Sequence, residues 1–243
     1  MEQPKYRLHI AIALSYSTIL SALYLFGFWG ALDVNILEFI GLSDLIKLAV
    51  YPLLLSLVGI LIGHLSYVLL QGDAFPPGAG ADTAIGRFGR KYWRYILEID
   101  LFIILAVAIF APSPLKWMVI AGLASPLSLL FTHQEFFVEL IPNTRARVSV
   151  LNLAIFLAGA AFYYGNYHAY LAKDGRSSLI VDVSRSKLPL KFDSKKPVAY
   201  LGYISGYFVL LESVSGAVVF VKEKDDAPLF LLQNQLAKEP AKK

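Results

Sequence analysis

The sequence predicts an α-helical integral membrane protein with about five transmembrane helices, followed by a small C-terminal β-rich domain. Hydrophobic residues fill 57% of the 243 positions and charged residues only 16%, whereas about a quarter of the residues in soluble domains are charged. The apolar residues are gathered into long runs without formal charge, as in segments that cross lipid. After residue 172 the pattern changes to short β-type runs bounded by turn residues.

Three runs of 25 residues contain no Asp, Glu, Lys or Arg: residues 8–32, 48–72 and 148–172. At about 1.5 Å per residue, a helix of this length exceeds the roughly 30 Å hydrocarbon core of a bilayer. The first run is longer than the apolar part of a signal peptide, about 7 to 15 residues, and ends in Phe28 and Trp29 instead of small residues. All three runs are therefore predicted to be retained transmembrane helices.

Two shorter apolar runs, residues 95–111 and 115–132, are separated by Pro-Ser-Pro at residues 112–114 and predict a helical hairpin. Glu98 lies near the start of the first arm, and Pro126 interrupts the second. Two tilted crossings and a shallower re-entrant hairpin both fit this pattern. In either case, both ends of the hairpin are expected on one side of the membrane.

The protein is expected in a bacterial inner (plasma) membrane, and the distribution of Lys and Arg predicts a cytoplasmic N-terminus, because cytoplasmic loops carry an excess of these residues. With five crossings, one side receives Lys5, Arg7, Arg87, Arg90, Lys91, Arg94, Arg145 and Arg147. The other side receives Lys47, Lys116, Lys173 and Arg176. The C-terminal domain is therefore expected to be periplasmic or extracellular.

Residues 1–172 are predicted to form the transmembrane domain, and residues 173–243 a small extramembrane β-rich domain with a frayed C-terminal tail. The formal net charge of +4 lies in the second part, which holds twelve basic and eight acidic residues. Its β-type runs are Leu179–Val183, Val198–Ile204, Tyr207–Val214, Ala217–Lys222 and Leu229–Leu232. With tight turns at Ser205-Gly206 and Ser215-Gly216, they predict a meander or small open barrel. A unit this short buries only a small core and is expected to pack against the membrane domain or another protein for stability.

Two segments carry a resemblance to known proteins. The loop at residues 30–44 reads Gly-Ala-Leu-Asp-Val-Asn-Ile-Leu-Glu-Phe-Ile-Gly-Leu-Ser-Asp, and residues 200–211 read Tyr-Leu-Gly-Tyr-Ile-Ser-Gly-Tyr-Phe-Val-Leu-Leu. With them the chain resembles a loose class of small uncharacterised bacterial multi-pass membrane proteins that have an aromatic, glycine-containing and acidic loop after the first helix. The resemblance implies a multi-pass architecture and no activity.

A cluster of cations and aromatic residues precedes the predicted hairpin. Tyr and Trp favour the membrane interface, and each cation near an anionic surface contributes about 1 kcal/mol. Interfacial anchoring is therefore the predicted role, with ligand binding as the alternative. The anchor residues are Arg87, Arg90, Lys91, Tyr92, Trp93 and Arg94.

Ionisable residues inside predicted membrane segments are candidates for a polar path that conducts protons or ions. They are His64, Glu98, Asp100 and His168. The alternative is that each histidine simply forms a hydrogen bond with a neighbouring helix.

Small residues in the last predicted helix recur at spacings of three and four: Ala154, Ala158, Ala161 and Gly165. Such a stripe lets another helix approach closely. It predicts a packing face at a buried position, either within one subunit or in an oligomer.

Motifs for common chemistry are absent from the sequence. There is no cysteine, no HExxH metal motif, no phosphate-binding GK[ST] loop and no G-x-S-x-G elbow. We therefore expect no catalytic site, cofactor or metal, and no nucleic-acid partner. The expected partners are the lipid bilayer and either a second copy of the chain or another protein.

The leading functional hypothesis is a non-enzymatic oligomeric channel or membrane effector whose β-domain senses or docks a partner. The alternative is a binding protein, such as a toxin-immunity protein or an accessory subunit of a membrane complex. An intramembrane enzyme would require the polar-path residues to converge on one cavity within hydrogen-bond reach.

Overall fold

A computed structural model describes residues 3–39, 41, 84–188, 192, 197–213, 215–223 and 228–238. The helices in this part of the chain are α1 (Gln3–Ala31), α2 (Ala84–Phe110), α3 (Leu115–Ala124), α4 (Glu135–Leu140) and α5 (Thr144–Lys173). The chain divides into two compact units. We call Met1–Leu23 with Ala49–Tyr163 the helical unit, and Tyr24–Leu48 with Tyr164–Lys243 the sheet unit.

Two helices of the described part are long and apolar enough to cross a membrane. The qualifying segments are Ala11–Ala31 in α1 and Ala146–Lys173 in α5, which match the first and last predicted runs. The predicted run 48–72 lies outside the described residues. The predicted division into a transmembrane and an extramembrane domain at residue 172 stays a prediction.

The prediction of five membrane crossings is wrong, and the error lies in the hairpin. A turn does separate its two arms, but α2 begins at Ala84 and carries Arg94, Glu98 and Asp100 along its length. The second arm, α3, has only ten residues, or about 15 Å, which is half the thickness of the hydrocarbon core. Pro126 lacks the N–H that would continue α3, and the chain proceeds as a 3₁₀ helix, Ser125–Leu130. Neither arm qualifies as a membrane span.

Within the helical unit, α5 is approached closely at small residues. A Cβ at Gly159 would lie 2.5 Å from the Cβ of Ala121 in α3. The Tyr16 hydroxyl of α1 donates a hydrogen bond to the Ala154 carbonyl at 2.5 Å. Asn152 accepts a hydrogen bond from the buried Ser128 hydroxyl. The predicted packing stripe as a whole stays a prediction.

The five strands of the described part form one antiparallel sheet in the order β4-β3-β2-β1-β5. They are β1 (Leu179–Val181), β2 (Val198–Ile204), β3 (Tyr207–Glu212), β4 (Val218–Lys222) and β5 (Leu231–Gln233). The first four strands form the predicted meander, and β5 returns to pair with β1. Strand positions agree closely with the sequence prediction because each apolar run is bounded by turn residues.

The turn between β2 and β3 is tight because Ser205 and Gly206 both have positive φ, 50° and 85°, as two-residue hairpins require. A bulge precedes it, since Tyr200 pairs with Leu210 but Gly202 pairs with Val209. The extra residue reverses the alternation of side chains along the end of β2. The side chains beyond the bulge therefore point to the opposite face from the one that simple alternation gives.

Both faces of the sheet are covered within the sheet unit. One face packs on the ends of α1 and α5 in a cluster that includes Trp29, Leu32, Ala169, Val209 and Leu211. The other face is covered by residues of the connecting segments; its cluster comprises Val181, Val198, Leu210 and Val221 with flanking side chains such as Leu188, Phe192 and Leu229. Burial on both faces explains why the strands are nearly continuous apolar runs instead of alternating ones.

Candidate functional site

The candidate site lies in the sheet unit, where α1 and α5 end beside the sheet. Helix α1 ends in a Schellman motif: the Val34 N–H donates to the Trp29 carbonyl at 3.0 Å, and the Asp33 N–H to the Gly30 carbonyl at 3.3 Å. Asp33 occupies the position with positive φ, 57°, where glycine is the usual residue. Asp33 is therefore a charged residue held in a strained conformation at the end of the helix.

Helix α5 ends in the same motif with glycine at the corresponding position. The Arg176 N–H donates to the Leu171 carbonyl at 2.8 Å and the Gly175 N–H to the Ala172 carbonyl at 3.0 Å. Gly175 has φ of 69°. Its carbonyl accepts a hydrogen bond of 2.7 Å from the buried Asn234 side chain, which ties the segment after β5 to the end of α5.

The two helix ends are in direct backbone contact. A Cβ at Gly165 would lie 2.0 Å from the Tyr24 carbonyl oxygen. Nearer the C-terminal ends, Leu32 and Lys173 line the same cavity. Because equivalent points along the two helices are neighbours, α1 and α5 run in the same direction within the sheet unit.

The cavity at these helix ends has a volume of about 360 Å³ and is open to solvent. Leu32 and Leu211 form its apolar side, and both are buried. Asp33 and Lys173 place opposite charges on its rim. A cavity of this size falls at the lower end of the range typical of small-molecule sites.

The residues of the predicted polar path have different surroundings. His64 lies outside the described residues, Glu98 is exposed, and Asp100 is half-buried with an Oδ2 atom that has no hydrogen-bond partner in the described part. Glu98 and Asp100 belong to the helical unit and His168 to the sheet unit. The Nδ1 atom of His168 lies 3.2 Å from the Tyr24 hydroxyl. The polar path stays a prediction.

The predicted anchor residues all lie in the N-terminal part of α2. Arg87, Lys91 and Arg94 are exposed, and the Lys91 ammonium lies 5.2 Å from the centre of the Tyr92 ring. Farther along α2, several large apolar side chains are exposed, including Phe102 at 71%. An exposed apolar surface that follows cations and aromatic rings is compatible with the predicted interfacial role, which stays a prediction.

Sequence reasoning missed the cavity residues Asp33 and Lys173. A usable signal was present, since Asp33 directly follows a charge-free run and precedes the apolar Val34, the pattern of a Schellman motif. Their meeting at one cavity had no sequence signal. Among the described residues, no group of three or more His, Asp or Glu side chains could hold a metal ion.

The strain at Asp33 leads to a stability prediction. Asp33→Gly should raise the free energy of unfolding by up to about 1 kcal/mol, because glycine adopts positive φ without a Cβ penalty. Asp33→Ala keeps the Cβ and should be less stable than the glycine variant. Thermal unfolding of both variants in detergent tests this order, and an alanine variant as stable as the glycine variant would contradict it.

Asp182 organises the turn after β1 through three hydrogen bonds. Its Oδ1 atom accepts from the Ser184 hydroxyl at 2.6 Å, the Ser184 N–H at 3.1 Å and the Arg185 N–H at 3.3 Å. The Ser184 hydroxyl makes the largest contribution to holding the pKa of Asp182 below its ordinary value of 3.8. The ionised carboxylate therefore favours the folded turn.

This depressed pKa sets the direction of a pH dependence. The stabilisation by Asp182 is present above pH 3.8 and is lost as the pH falls through the lower pKa of the folded state. Thermal unfolding of the wild type and Asp182→Asn should differ most near about pH 5.5 and converge near about pH 2.5. A difference that stays constant over this range would show that the carboxylate charge is not what stabilises the turn.

The part of the chain that the structure describes defines a class of protein: two helices long and apolar enough to cross a membrane, with a five-stranded antiparallel sheet packed on their ends. No known protein family, curated protein or solved structure matches this chain. The function is therefore inferred from the geometry of the sheet unit.

Proposed function

We propose that the chain is a non-enzymatic membrane effector in which α1 and α5 cross the bilayer and carry the sheet as an extramembrane docking domain. The observation behind this proposal is the shared core of the helix ends and the sheet, in which Trp29, Ala169, Val209 and Leu211 are each at most 2% exposed. A displacement of the sheet would therefore move both helix ends. A partner docked on the sheet would in this way be coupled to both helices.

The open edges of the sheet support a docking role. Among the strands that the structure describes, β4 and β5 lie at the two edges, and each pairs with one neighbouring strand. Unpaired edge strands present backbone N–H and C=O groups with which a partner strand can pair. Leu231 and Leu232 of β5 are exposed at 38% and 45%, so a partner strand would also find apolar side chains there.

The charges around α1 support a periplasmic or extracellular location of the sheet. Lys5 and Arg7 precede the membrane segment of α1, whereas the next basic residue after it in the sequence is Lys47, and this Lys and Arg bias favours a cytoplasmic N-terminus. The sheet packs on the last turns of α1. The side of the membrane on which the sheet lies therefore follows from the orientation of α1 alone and not from the number of crossings. If α1 and α5 both cross the membrane in the same direction, the chain between them must cross it an odd number of times. The apolar run 48–72, which lies outside the described residues, is the candidate for such a crossing in the sequence.

Cysteine labelling tests the membrane part of the proposal in this cysteine-free chain. Glu139→Cys and Lys187→Cys place exposed thiols on either side of α5. In intact cells, an impermeant maleimide should label the cysteine at position 187 and leave the one at position 139 unlabelled. Labelling of both positions or of neither would contradict a crossing by α5, and the reverse pattern would contradict the orientation.

The docking part is tested by affinity purification of the full chain from its native membrane in mild detergent. We expect a stoichiometric partner, either a second copy or another protein, that is lost when proline replaces Val219 on the edge strand β4 or Leu232 on the edge strand β5. Lys187→Ala, outside the strands, serves as the matched control. Purification of a lone monomer, or a partner that both proline variants retain, would contradict docking at the sheet edges.

A further inference from the structure

The cavity at the ends of α1 and α5 carries opposite charges that point to a zwitterionic ligand. We propose that it binds the ammonium and phosphate groups of phosphoethanolamine, either as a free molecule or as a lipid headgroup. Asp33 faces the ammonium group and Lys173 the phosphate, while Leu32 and Leu211 supply the apolar side.

Charge is the first argument for this ligand. Asp33 and Lys173 line one cavity, yet within the described residues neither forms an ion pair. Both are exposed, so each is available to a ligand of opposite charge. A ligand with a single charge would be attracted by one of these residues and repelled by the other, whereas a zwitterion matches both.

The helix termini add to the attraction for the ammonium group. The C-terminal end of a helix is the negative end of its dipole and favours cations. Both α1 and α5 end beside this cavity. The carboxylate of Asp33 strengthens this negative potential on the α1 side, and Lys173 at the end of α5 offers the compensating cation for the phosphate.

The backbone at Asp33 is the second, independent argument. Its φ of 57° is a conformation that favours glycine, and Gly175 occupies the corresponding position at the end of α5. Residues other than glycine in this conformation cluster at active sites and ligand-binding sites. The strain fixes the start of the Asp33 side chain next to the cavity.

Isothermal titration calorimetry of the full chain in non-ionic detergent tests the chemistry. O-phosphoethanolamine should bind, whereas ethanolamine alone and inorganic phosphate alone should each bind at least about tenfold more weakly because each uses only one of the two charges. Asp33→Asn and Lys173→Gln should each weaken binding by about tenfold, the effect of losing one charge-assisted hydrogen bond. Asparagine tolerates positive φ, so the first variant keeps the backbone.

Two control variants change the same charges outside the cavity. Asp174→Asn and Lys222→Gln alter exposed residues that do not line the cavity, and both should leave the affinity unchanged. The melting temperature of every variant shows that it is folded. Weakening by the controls equal to that by the cavity variants would contradict a specific site.

A second measurement separates a lipid from a free ligand. The lipid source rests on the proposed membrane location, whereas the calorimetry in detergent does not. In nanodiscs, native mass spectrometry should show retained phosphatidylethanolamine over phosphatidylglycerol, with the preference lost in Asp33→Asn. Binding of free phosphoethanolamine without lipid retention assigns the site to a soluble zwitterion. The proposal is overturned if neither free phosphoethanolamine binds nor phosphatidylethanolamine is retained, or if lipid retention is unchanged in Asp33→Asn. Neither outcome bears on whether α5 crosses the membrane.

Discussion

Replacing Gly165 by alanine is expected to lower the free energy of unfolding by about 3 kcal/mol. A Cβ at this position would lie 2.0 Å from the carbonyl oxygen of Tyr24 and 2.8 Å from the amide nitrogen of Phe28. Both atoms belong to the backbone of α1, so the clash cannot be relieved by a side-chain rotation. The ends of α1 and α5 must separate, which also disturbs the shared core beneath the sheet.

Gly30→Ala is the matched control for this substitution. Gly30 also lies in a helix of the sheet unit, but among the described residues no atom outside its own stretch of helix lies within 4 Å of an added Cβ. Alanine there should raise stability by up to about 1 kcal/mol, because glycine is a poor helix former. Denaturant titration in detergent measures both variants, and equal stabilities would contradict a close backbone contact at Gly165.

Trp29→Ala is expected to cost about 4 kcal/mol, as for a large aromatic side chain removed from a well-packed core. Trp29 is only 2% exposed, and its ring packs edge-on against Phe28 with the ring centres 5.0 Å apart. Its removal leaves a cavity beneath the sheet face that contains Val209 and Leu211. Hydrogen exchange should therefore become faster at the amides of β2 and β3.

Trp117→Ala provides the control in the helical unit. Trp117 packs against Phe162 with ring centres 4.6 Å apart, so this variant also loses a tryptophan contact. Exchange at β2 and β3 should stay near the wild-type rate. If both variants accelerate exchange in the sheet equally, Trp29 does not support the sheet locally.

The hairpin prediction failed because of charged residues within its first arm and a proline after its second arm. An apolar run predicts a crossing only when its helix is continuous and nearly free of charge. Helix α2 is continuous but carries Arg94, Glu98 and Asp100, and α3 stops after ten residues ahead of Pro126. Each of these residues is visible in the sequence. Whether they prevent a membrane crossing depends on where the helices begin and end, which only the structure shows.

Arg147 has a structural role that the sequence analysis did not identify. The sequence places it among basic residues that flank a membrane segment, but it is only 4% exposed. Its Nη1 atom donates hydrogen bonds to the carbonyls of Ile141 at 2.7 Å and Pro142 at 3.2 Å. Arg147 therefore fixes the segment before α5 by hydrogen bonds to its backbone. These hydrogen bonds depend on the path of that segment.

The sequence by itself determined the elements whose signals are local. The charge-free runs gave α1 and α5, and the short apolar runs with turn residues gave the five strands, because periodicity and turn chemistry act over a few neighbouring residues. The tertiary structure alone decided which elements share a core. The packing of the sheet on the helix ends, and the meeting of Asp33 and Lys173 at one cavity, join residues far apart in the chain. Such contacts depend on long-range packing, which leaves no local pattern in the sequence.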